Sequence, residues 1–472
     1  TIFFAGLALL GTVIAAPVDH PDRVMSLPSA PIEPTFPLFS GFIRAEDNGI
    51  EHKLFYVLCE AIHADPETAP LIIWLNGGPG SSSLFGLLLI NGPYLINPDT
   101  GELRYNEFSW NQYANVLYLE TPTGVGFSHS NSSSTIAFND NSTARINRKA
   151  LNDFMTRVHP RYTNRDFYIT GESYAGVYNP YFAREVLQHV KSGEFSNPNL
   201  KGIAMGNAYV DSFSGEIAAA LQLYSLGIIP EEHGKELHRI WEKVINGQHY
   251  AFSEASHEVK EQLTIARNLL RFDAQYDVSL QCNAVENETI WHITNHPQNP
   301  ECGSGAILGA YMNREDVQIR MHVHTADQPT VHWTSLSETV YPTYHTETDT
   351  IHVYKDIFAN VENDFRILFY TGDMDLMCPA LQVAFGARRI AEDNGMTKVR
   401  EMAWSYLEDF AGVRSAYATN DTRILMDVLT VRGASHMVPL THPDRAFQMI
   451  NNFITTEPKD PVNYSKMIPR KQ

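Results

Sequence analysis

The sequence predicts an α/β protein in which a mainly parallel central sheet is interrupted by a largely helical insertion. Short runs rich in Ile, Leu, Val and Tyr, each stopped by Gly or Pro, alternate with helical stretches in residues 36–210 and again in 342–456. Buried strands of a parallel sheet have this pattern. Residues 211–341 lose it and carry amphipathic helical runs instead. We therefore predict one core, built from the two outer ranges, with residues 211–341 inserted between its strands.

The elements can be placed in order along the chain. Strands are expected within 70–78, 114–122, 165–171, 365–375 and 423–437. Helices are expected within 176–193, 231–245, 257–272 and 442–454. Gly193 is placed to end the first helix and Pro443 lies in the first turn of the last.

The beginning of the chain indicates the secretory pathway. Residues 1–16 form an apolar run that ends in small residues before Pro17, as in a secretory signal that lacks its charged start. A membrane anchor is the alternative, but this run is shorter than the about 20 apolar residues that span a bilayer. Acceptor sequons for N-linked glycans lie at Asn131, Asn141, Asn287, Asn420 and Asn463. We expect a lysosomal or extracellular glycoprotein with no membrane segment in its mature form.

Composition excludes two classes of partner. Hydrophobic residues make up 43% of the 472 residues, charged residues 19%, and the formal net charge is −19. Nucleic acids and anionic membranes bind clustered Lys and Arg. Neither is expected as a partner of this acidic, globular chain.

The cysteines and histidines show no metal-binding pattern. One or two disulfides can form in an oxidising compartment among Cys59, Cys282, Cys302 and Cys378. Cys282 and Cys302 are the closest pair in sequence. His322 and His324 can share a strand face, but no third ligand is near, which favours a structural role. We expect no metal and no cofactor.

Three residues suited to nucleophilic catalysis each follow a predicted strand. Ser173 lies in G-E-S-Y-A, close to the G-x-S-x-G nucleophile elbow, between a strand and a helix. Asp375 and His436 follow the two later strands, and side chains beyond the carboxyl ends of parallel strands meet at one rim. The order Ser, Asp, His is that of α/β hydrolases. Asp373 in the same "TGDMD" segment is the rival carboxylate.

Several separated motifs carry a family resemblance. They are "WLNGGPGSSS", "ETPTGVGFSHS", "GESYAGVYNP", "GDMD" and "VRGASHMVP". From about Phe36 to Ile454 the chain resembles the serine carboxypeptidases, the family of lysosomal protective protein/cathepsin A. The resemblance implies an α/β-hydrolase fold with a helical cap inserted before the catalytic Asp, which agrees with the helical texture of residues 211–341.

The resemblance also implies catalytic roles. Ser173 would be the nucleophile, His436 the general base and Asp375 the residue that orients it. The backbone amides of Gly78 and Tyr174 would form the oxyanion hole.

Substrate-binding roles follow from the same resemblance. Asn76, Gly77 and Glu172 would hold the terminal carboxylate of the substrate. Because two carboxylates repel each other, Glu172 should bind best when protonated, which favours acid pH. Cys378, as a free thiol, and Met437 would line the leaving-group side.

The chain departs from the family pattern at two positions. Ser81 stands where the family usually has a disulfide-bonded Cys, so Cys302, at the expected partner position, is either unpaired or joined to Cys282 or another cysteine. Loss of that bridge can lower stability by a few kcal/mol. Ile90 stands where the family has a Glu that shares a proton with the Glu172 equivalent, so the pH range of peptide binding should differ.

The resemblance leaves more than one function open. The first is release of C-terminal residues from peptides with a free carboxylate, through an acyl-enzyme on Ser173. The second is acyl transfer or esterase action by the same triad. The third is a stabilising role for other lysosomal proteins. Pairing of two chains into a homodimer is left open.

Overall fold

The computed structural model describes residues 20–97, 100–132, 135–248, 253, 255–270, 273–279, 304–324 and 330–469. The predicted signal segment 1–16, the sequon Asn287, and both Cys282 and Cys302 lie outside the described residues. The predictions made for them are therefore untested.

The centre of the molecule is a large mixed sheet. Its strands are β1 Leu38–Asp47, β2 Ile50–Cys59, β3 Leu71–Leu75, β6 Asn115–Leu119, β7 His129–Ser130, β8 Phe167–Glu172, β9 Leu200–Gly206, β10 Phe365–Gly372, β11 Thr397–Tyr406, β12 Asp409–Ala418 and β13 Ile424–Val431. A separate small pair consists of β4 Tyr94–Ile96 and β5 Leu103–Tyr105. Along the large sheet the order is β1-β2-β6-β3-β8-β9-β10-β13-β12-β11, with β7 paired to β2.

The six central strands, from β6 to β13 in this order, are parallel, which confirms the predicted mainly parallel centre. Both edges are antiparallel hairpins that the sequence reading did not place, β1–β2 and β11–β12. The first hairpin turns at Asn48 and Gly49, both with positive φ. Asn-Gly between alternating residues is a strong hairpin signal, so this hairpin was accessible from sequence.

Helices cover the sheet and fill the interval between β9 and β10. They are α1 Asp140–Asp153, α2 Ala175–Ser192, α3 Gly215–Ser225, α4 Gly234–Ile245, α5 His257–Leu270, α6 Asp273–Tyr276, α7 Ser304–Met312, α8 Glu315–Arg320, α9 Ile351–Asn360, α10 Ala380–Asp393, α11 Val438–Thr441 and α12 Pro443–Thr455. Helices α3 to α8 all fall within the predicted insertion, 211–341. The described part of that range contains no strand of the sheets. His322 and His324 lie in a turn after α8 rather than on a strand.

Strand side chains alternate between two hydrophobic cores, as the period of two along a strand requires. Leu71, Ile73 and Leu75 of β3 join the core under α1, α2, α9 and α10. Ile72 and Trp74 join the core under α12 and the helical turn Gly86–Ile90. A third cluster lies within the insertion and reaches the sheet domain at Leu376 and Phe385. No helix in the described residues is long and apolar enough to cross a membrane.

A buried arginine on β10 hydrogen-bonds the end of α12 and the segment that follows it. The Arg366 guanidinium is 1% exposed and donates to the carbonyls of Phe453, Thr456, Glu457 and Asp460, at 2.5–3.1 Å. Hydrogen bonds to charged groups contribute about 1.5–3 kcal/mol each, net of competition from water, and these contributions do not simply add. Arg366 therefore anchors the segment that follows α12.

We expect Arg366→Met to lower the free energy of unfolding by about 3 kcal/mol, because the buried carbonyl of Phe453 and three partly buried carbonyls lose their charged donor. Denaturant unfolding measures this change. Arg423→Met is the control, since Arg423 forms only a partly exposed ion pair with Asp421, worth at most about 1 kcal/mol. Equal losses in the two variants would contradict the anchoring role.

Candidate active site

Ser173 lies in a sharp turn between β8 and α2. Its φ is 63°, in the left-handed region, where a non-glycine residue is strained. The turn brings backbones very close: a Cβ on Gly171 would lie 2.2 Å from the Leu75 carbonyl oxygen and 2.6 Å from the Ala175 Cβ. Small residues at 171 and 175 are therefore required by packing, and the half-buried Ser173 is presented at the carboxyl end of the sheet.

His436 and Asp375 form a buried pair. His436 Nδ1 lies 2.7 Å from Asp375 Oδ2, and the two residues are 3% and 0% exposed. The Asp375 carboxylate also accepts from the amides of Met377, at 2.8 Å, and Cys378, at 3.1 Å. The rival Asp373 accepts from the Gly433 amide at 2.6 Å instead. Of the two carboxylates, Asp375 is the one that hydrogen-bonds the imidazole.

Two residues absent from the sequence reading support this pair. Asn207, with a positive φ of 40°, donates its amide to Asp375 Oδ2 at 2.8 Å and accepts from the Gly372 amide at 3.0 Å. Tyr276 of α6 accepts from the His436 amide at 2.8 Å, and its ring meets the imidazole edge-on at 4.9 Å. Asn207 directly follows the buried strand β9 at the same rim, and a polar residue in that position is the sequence signal that could have identified it. Tyr276 carries no such local signal.

The strand order brings Ser173 to the same rim. Ser173 follows β8, Asp375 follows β10 and His436 follows β13, with β9 between the first two. The Ser173 amide donates to the Gly206 carbonyl at 2.9 Å, and the next residue, Asn207, holds Asp375. A short path of backbone and side-chain bonds thus connects the serine to the His436–Asp375 pair.

The glycine-rich segment after β3 lies beside the serine. A Cβ on Gly77 would be 2.4 Å from the Tyr174 nitrogen and 2.9 Å from the Ser173 Cβ, so only glycine fits there. Gly78 follows with a φ of 108° and is exposed. Within the described residues, the amides of Gly78 and Tyr174 donate to no backbone carbonyl. Both are therefore available to a bound oxygen.

Asn76 and Glu172 form a buried polar pair next to the serine. Asn76 Nδ2 donates to Glu172 Oε1 at 2.9 Å, and Asn76 Oδ1 accepts from Trp74 Nε1 and from the Gly86 amide, which fixes the orientation of the Asn76 amide. Glu172 is 4% exposed, and its Oε2 has no partner among the described residues. A buried acceptor without a partner is costly, so this atom is suited to a proton or a ligand.

Burial raises the pKa of Glu172 to about 7. The positive charge of His436 and the Asn76 hydrogen bond lower it in part, and the Asp375 carboxylate raises it further. Below about pH 7, Glu172 is therefore mostly protonated and can donate from its carboxyl group.

The structure also describes the two residues expected on the leaving-group side and the two departures from the family pattern. Cys378 is a free, buried thiol, and burial raises its pKa well above the usual value. Met437 is buried directly after His436. Ile90 is buried at the end of the turn Gly86–Ile90. Ser81 pairs through its backbone with Leu336 of the insertion, at the position where the family pattern has a disulfide.

The described sequon asparagines are all exposed: Asn131, Asn141, Asn420 and Asn463. Asn131 and Asn141 also accept hydrogen bonds through Oδ1, from the Glu51 amide and from Arg184. These bonds leave Nδ2, the atom that would carry a glycan, outside the contact. Glycosylation itself stays a prediction.

Comparison with known proteins identifies the family. The family model described as serine carboxypeptidase matches residues 28–456. The chain belongs to the serine carboxypeptidase family. It is accordingly a serine-type carboxypeptidase, a hydrolase with the α/β-hydrolase fold, and peptides are its class of substrate.

Individual relatives cover almost the whole chain. Serine carboxypeptidase ctsa-3.1 of Caenorhabditis elegans is 29% identical, over 98% of this chain and 92% of its own length. Serine carboxypeptidase-like 45 of Arabidopsis thaliana is 32% identical, over 95% of each chain. Among solved structures, the prohormone-processing carboxypeptidase Kex1(delta)p of Saccharomyces cerevisiae matches with a TM-score of 0.69 and 21% identity. That match covers 91% of this chain and 93% of the yeast chain, and at this identity it supports the fold alone.

Proposed function

We propose that this serine carboxypeptidase releases C-terminal residues from peptides through an acyl-enzyme on Ser173. The observation that carries the proposal is the juxtaposition of two buried pairs at one rim. His436–Asp375 can activate a nucleophile, and Asn76–Glu172, with its unpartnered Oε2, can bind a terminal carboxylate. A hydrolase that has both groups beside one serine is suited to an exopeptidase reaction.

We infer the chemical steps from the residues gathered at this rim. With its proton on Nδ1 donated to Asp375, the neutral imidazole of His436 takes the Ser173 proton on Nε2 while Oγ attacks the scissile carbonyl. The amides of Gly78 and Tyr174 donate to the oxygen that becomes negative. His436 then gives its proton to the leaving amino group, which departs with the last residue. Water, deprotonated by His436, attacks the ester on Ser173, and His436 returns that proton to Ser173 Oγ as the shortened peptide leaves.

Glu172 provides the exopeptidase specificity. Its protonated carboxyl donates to the free carboxylate of the substrate, while Asn76 adds a second donor. Ionisation of Glu172 would place two negative charges together, which is repulsive. Binding of free C-terminal carboxylates is therefore expected to favour acid to neutral pH.

A second activity is supported by Ile90. Where the family pattern has an acid beside the Glu172 equivalent, this chain has a buried aliphatic side chain. Glu172 is then the one acid of that pair left to recognise a terminal carboxylate, and the same acyl-enzyme can form from an ester or pass its acyl group to another acceptor. Acyl transfer or esterase action is the alternative function.

We propose that the enzyme acts in the secretory pathway, in the lysosome or outside the cell. The apolar segment 1–16 and the sequons support this location. The protonated form of Glu172 at low pH suits an acidic compartment. Secretion of the tagged full-length chain, with a mass shift on deglycosylation, tests the location.

The test of the function is labelling with an organophosphonate, followed by assays on N-blocked dipeptides from acid to neutral pH. We expect one label, on Ser173, and release of the C-terminal residue. Label without peptide release, but with ester cleavage, would favour the alternative function. A failure to label Ser173 in folded protein would contradict both.

The departure at Ile90 gives a further prediction. Ile90→Glu should place a second acid beside Glu172, so that the two carboxyl groups share one proton. The singly protonated state of this pair should then persist to higher pH. We expect the alkaline rise of KM for peptides to move up by about one pH unit. Ile90→Gln, which adds polarity without a charge, is the matched control. An unchanged profile in folded Ile90→Glu protein would refute the prediction.

A further inference from the structure

The motif "ETPTGVGFSHS", residues 120–130, begins with a buried acid that the reaction above does not use. Glu120 follows β6 at the carboxyl end of the sheet and is 0% exposed. Three groups donate to its carboxylate: the Ser82 hydroxyl and Trp333 Nε1, at 2.9 Å, to Oε1, and the Phe127 amide, at 2.7 Å, to Oε2. Burial raises the pKa of Glu120 to about 7. Burying a carboxylate is costly, and these three donors from separate segments offset that cost and fix the position of Glu120.

One of these donors belongs to the loop that carries a predicted oxyanion donor. Ser82 lies in residues 77–83, here called the glycine loop, which includes Gly78. The glycine loop is closed by a bond from the Ser81 amide to the Gly77 carbonyl at 3.1 Å. Its middle is held by the Gly80 amide, which donates to the Tyr178 hydroxyl at 3.1 Å. Glu120 holds its far end through the Ser82 side chain.

Another donor comes from the segment that returns from the insertion to the core. Trp333 is 1% exposed, and the residues just after it pair with the glycine loop. The Ser82 amide donates to the Ser335 carbonyl and the Ser337 amide to the Gly80 carbonyl, each at 2.9 Å. Glu120 therefore accepts hydrogen bonds from both the glycine loop and this returning segment.

We propose that Glu120 is a positioning residue that holds the Gly78 amide, through Ser82, in the direction from which it stabilises the oxyanion. The inference rests on the proposed function and adds a residue to it. Glu120 contacts no substrate. Because an oxyanion donor contributes only when it is pre-aligned, loss of the Glu120–Ser82 bond should lower the rate of acylation and leave substrate affinity unchanged.

Two variants test this on the full-length chain. Ser82→Ala removes only the hydroxyl that joins the loop to Glu120. Glu120→Gln turns one of the two acceptor oxygens into a donor, so either Ser82 and Trp333 or Phe127 lose their acceptor. Removing an oxyanion donor outright costs about 10²–10³ in kcat, so misaligning one should lower kcat by about tenfold. The same fall is expected in the rate at which an organophosphonate labels Ser173, since that reaction needs the oxyanion hole but no terminal carboxylate. KM should stay within about twofold.

Glu60→Gln is the matched control. Glu60 is equally buried, accepts from the Tyr162 hydroxyl and pairs with Arg161, but it follows β2 at the opposite, amino end of the parallel strands. This variant should be less stable and keep the wild-type kcat and labelling rate. Wild-type kcat and labelling in folded Ser82→Ala would overturn the proposal, and so would an equal loss in Glu60→Gln. If wild-type Ser173 is not labelled at all, the proposed function itself has failed.

Discussion

Asp375→Asn is expected to lower kcat by about 10⁴-fold, with little change in KM. In the structure Asp375 Oδ2 lies 2.7 Å from His436 Nδ1, which keeps the proton on Nδ1 and the lone pair on Nε2. An asparagine amide group facing Nδ1 would be a donor and would favour the other tautomer, which cannot accept the Ser173 proton. Steady-state kinetics on an N-blocked dipeptide measures the effect.

The neighbouring carboxylate provides the control for this variant. Asp373→Asn keeps an acceptor for the Gly433 amide and does not alter the hydrogen bond to the imidazole. Its kcat should stay within about twofold of wild type, because it removes no interaction made in the transition state. A large loss in Asp373→Asn with an active Asp375→Asn would reverse the assignment of the two carboxylates.

The second large effect is a rise of KM with pH that depends on Glu172. Burial raises the pKa of this carboxyl group to about 7, and only the protonated form can donate to a substrate carboxylate. Above that pH the competent fraction falls about tenfold for each pH unit, and KM for a peptide with a free C-terminus should rise in proportion. The sign is fixed by the raised pKa: affinity is present below about pH 7 and is lost as the pH rises through it.

Glu172→Gln separates this effect from other titrations. A glutamine amide donates at every pH, so the KM of the variant should be nearly independent of pH between about 6 and 9. A dipeptide ester, which lacks the carboxylate, should show no Glu172-dependent rise in either enzyme. A wild-type KM that stays flat across this range, or a Glu172→Gln profile that still rises, would show that Glu172 does not bind the terminal carboxylate.

Raised carboxyl pKa values also affect stability. Glu172 and Glu120 each hold their proton more tightly in the folded chain than in the unfolded one. Folding therefore takes up protons between the ordinary carboxyl pKa and about 7, and these two groups make the folded state less stable as pH rises through that interval. This direction is compatible with the acidic compartment proposed above.

Local sequence patterns were enough for five of the six central parallel strands; β9, Leu200–Gly206, was not predicted. The apolar runs stopped by Gly or Pro correspond to β3, β6, β8, β10 and β13. The helix predicted to end at Gly193 does so, since that residue adopts a φ of 78°. The edge hairpins were not placed. In β11 most side chains are exposed. The strand therefore lacks the buried apolar run on which the other strand predictions were based.

The sequence by itself determined the fold class, the family and the residue types available at the strand ends, because strand burial, turn glycines and the motif order are encoded in neighbouring residues. The tertiary structure showed that Asp375, as the family resemblance implied, hydrogen-bonds His436. Only the tertiary structure showed that Asn207 and Tyr276 support that pair and that Glu120 accepts from Ser82 and Trp333. These contacts join residues 38 to 213 positions apart. They depend on strand order and side-chain packing, which no local pattern along the chain contains.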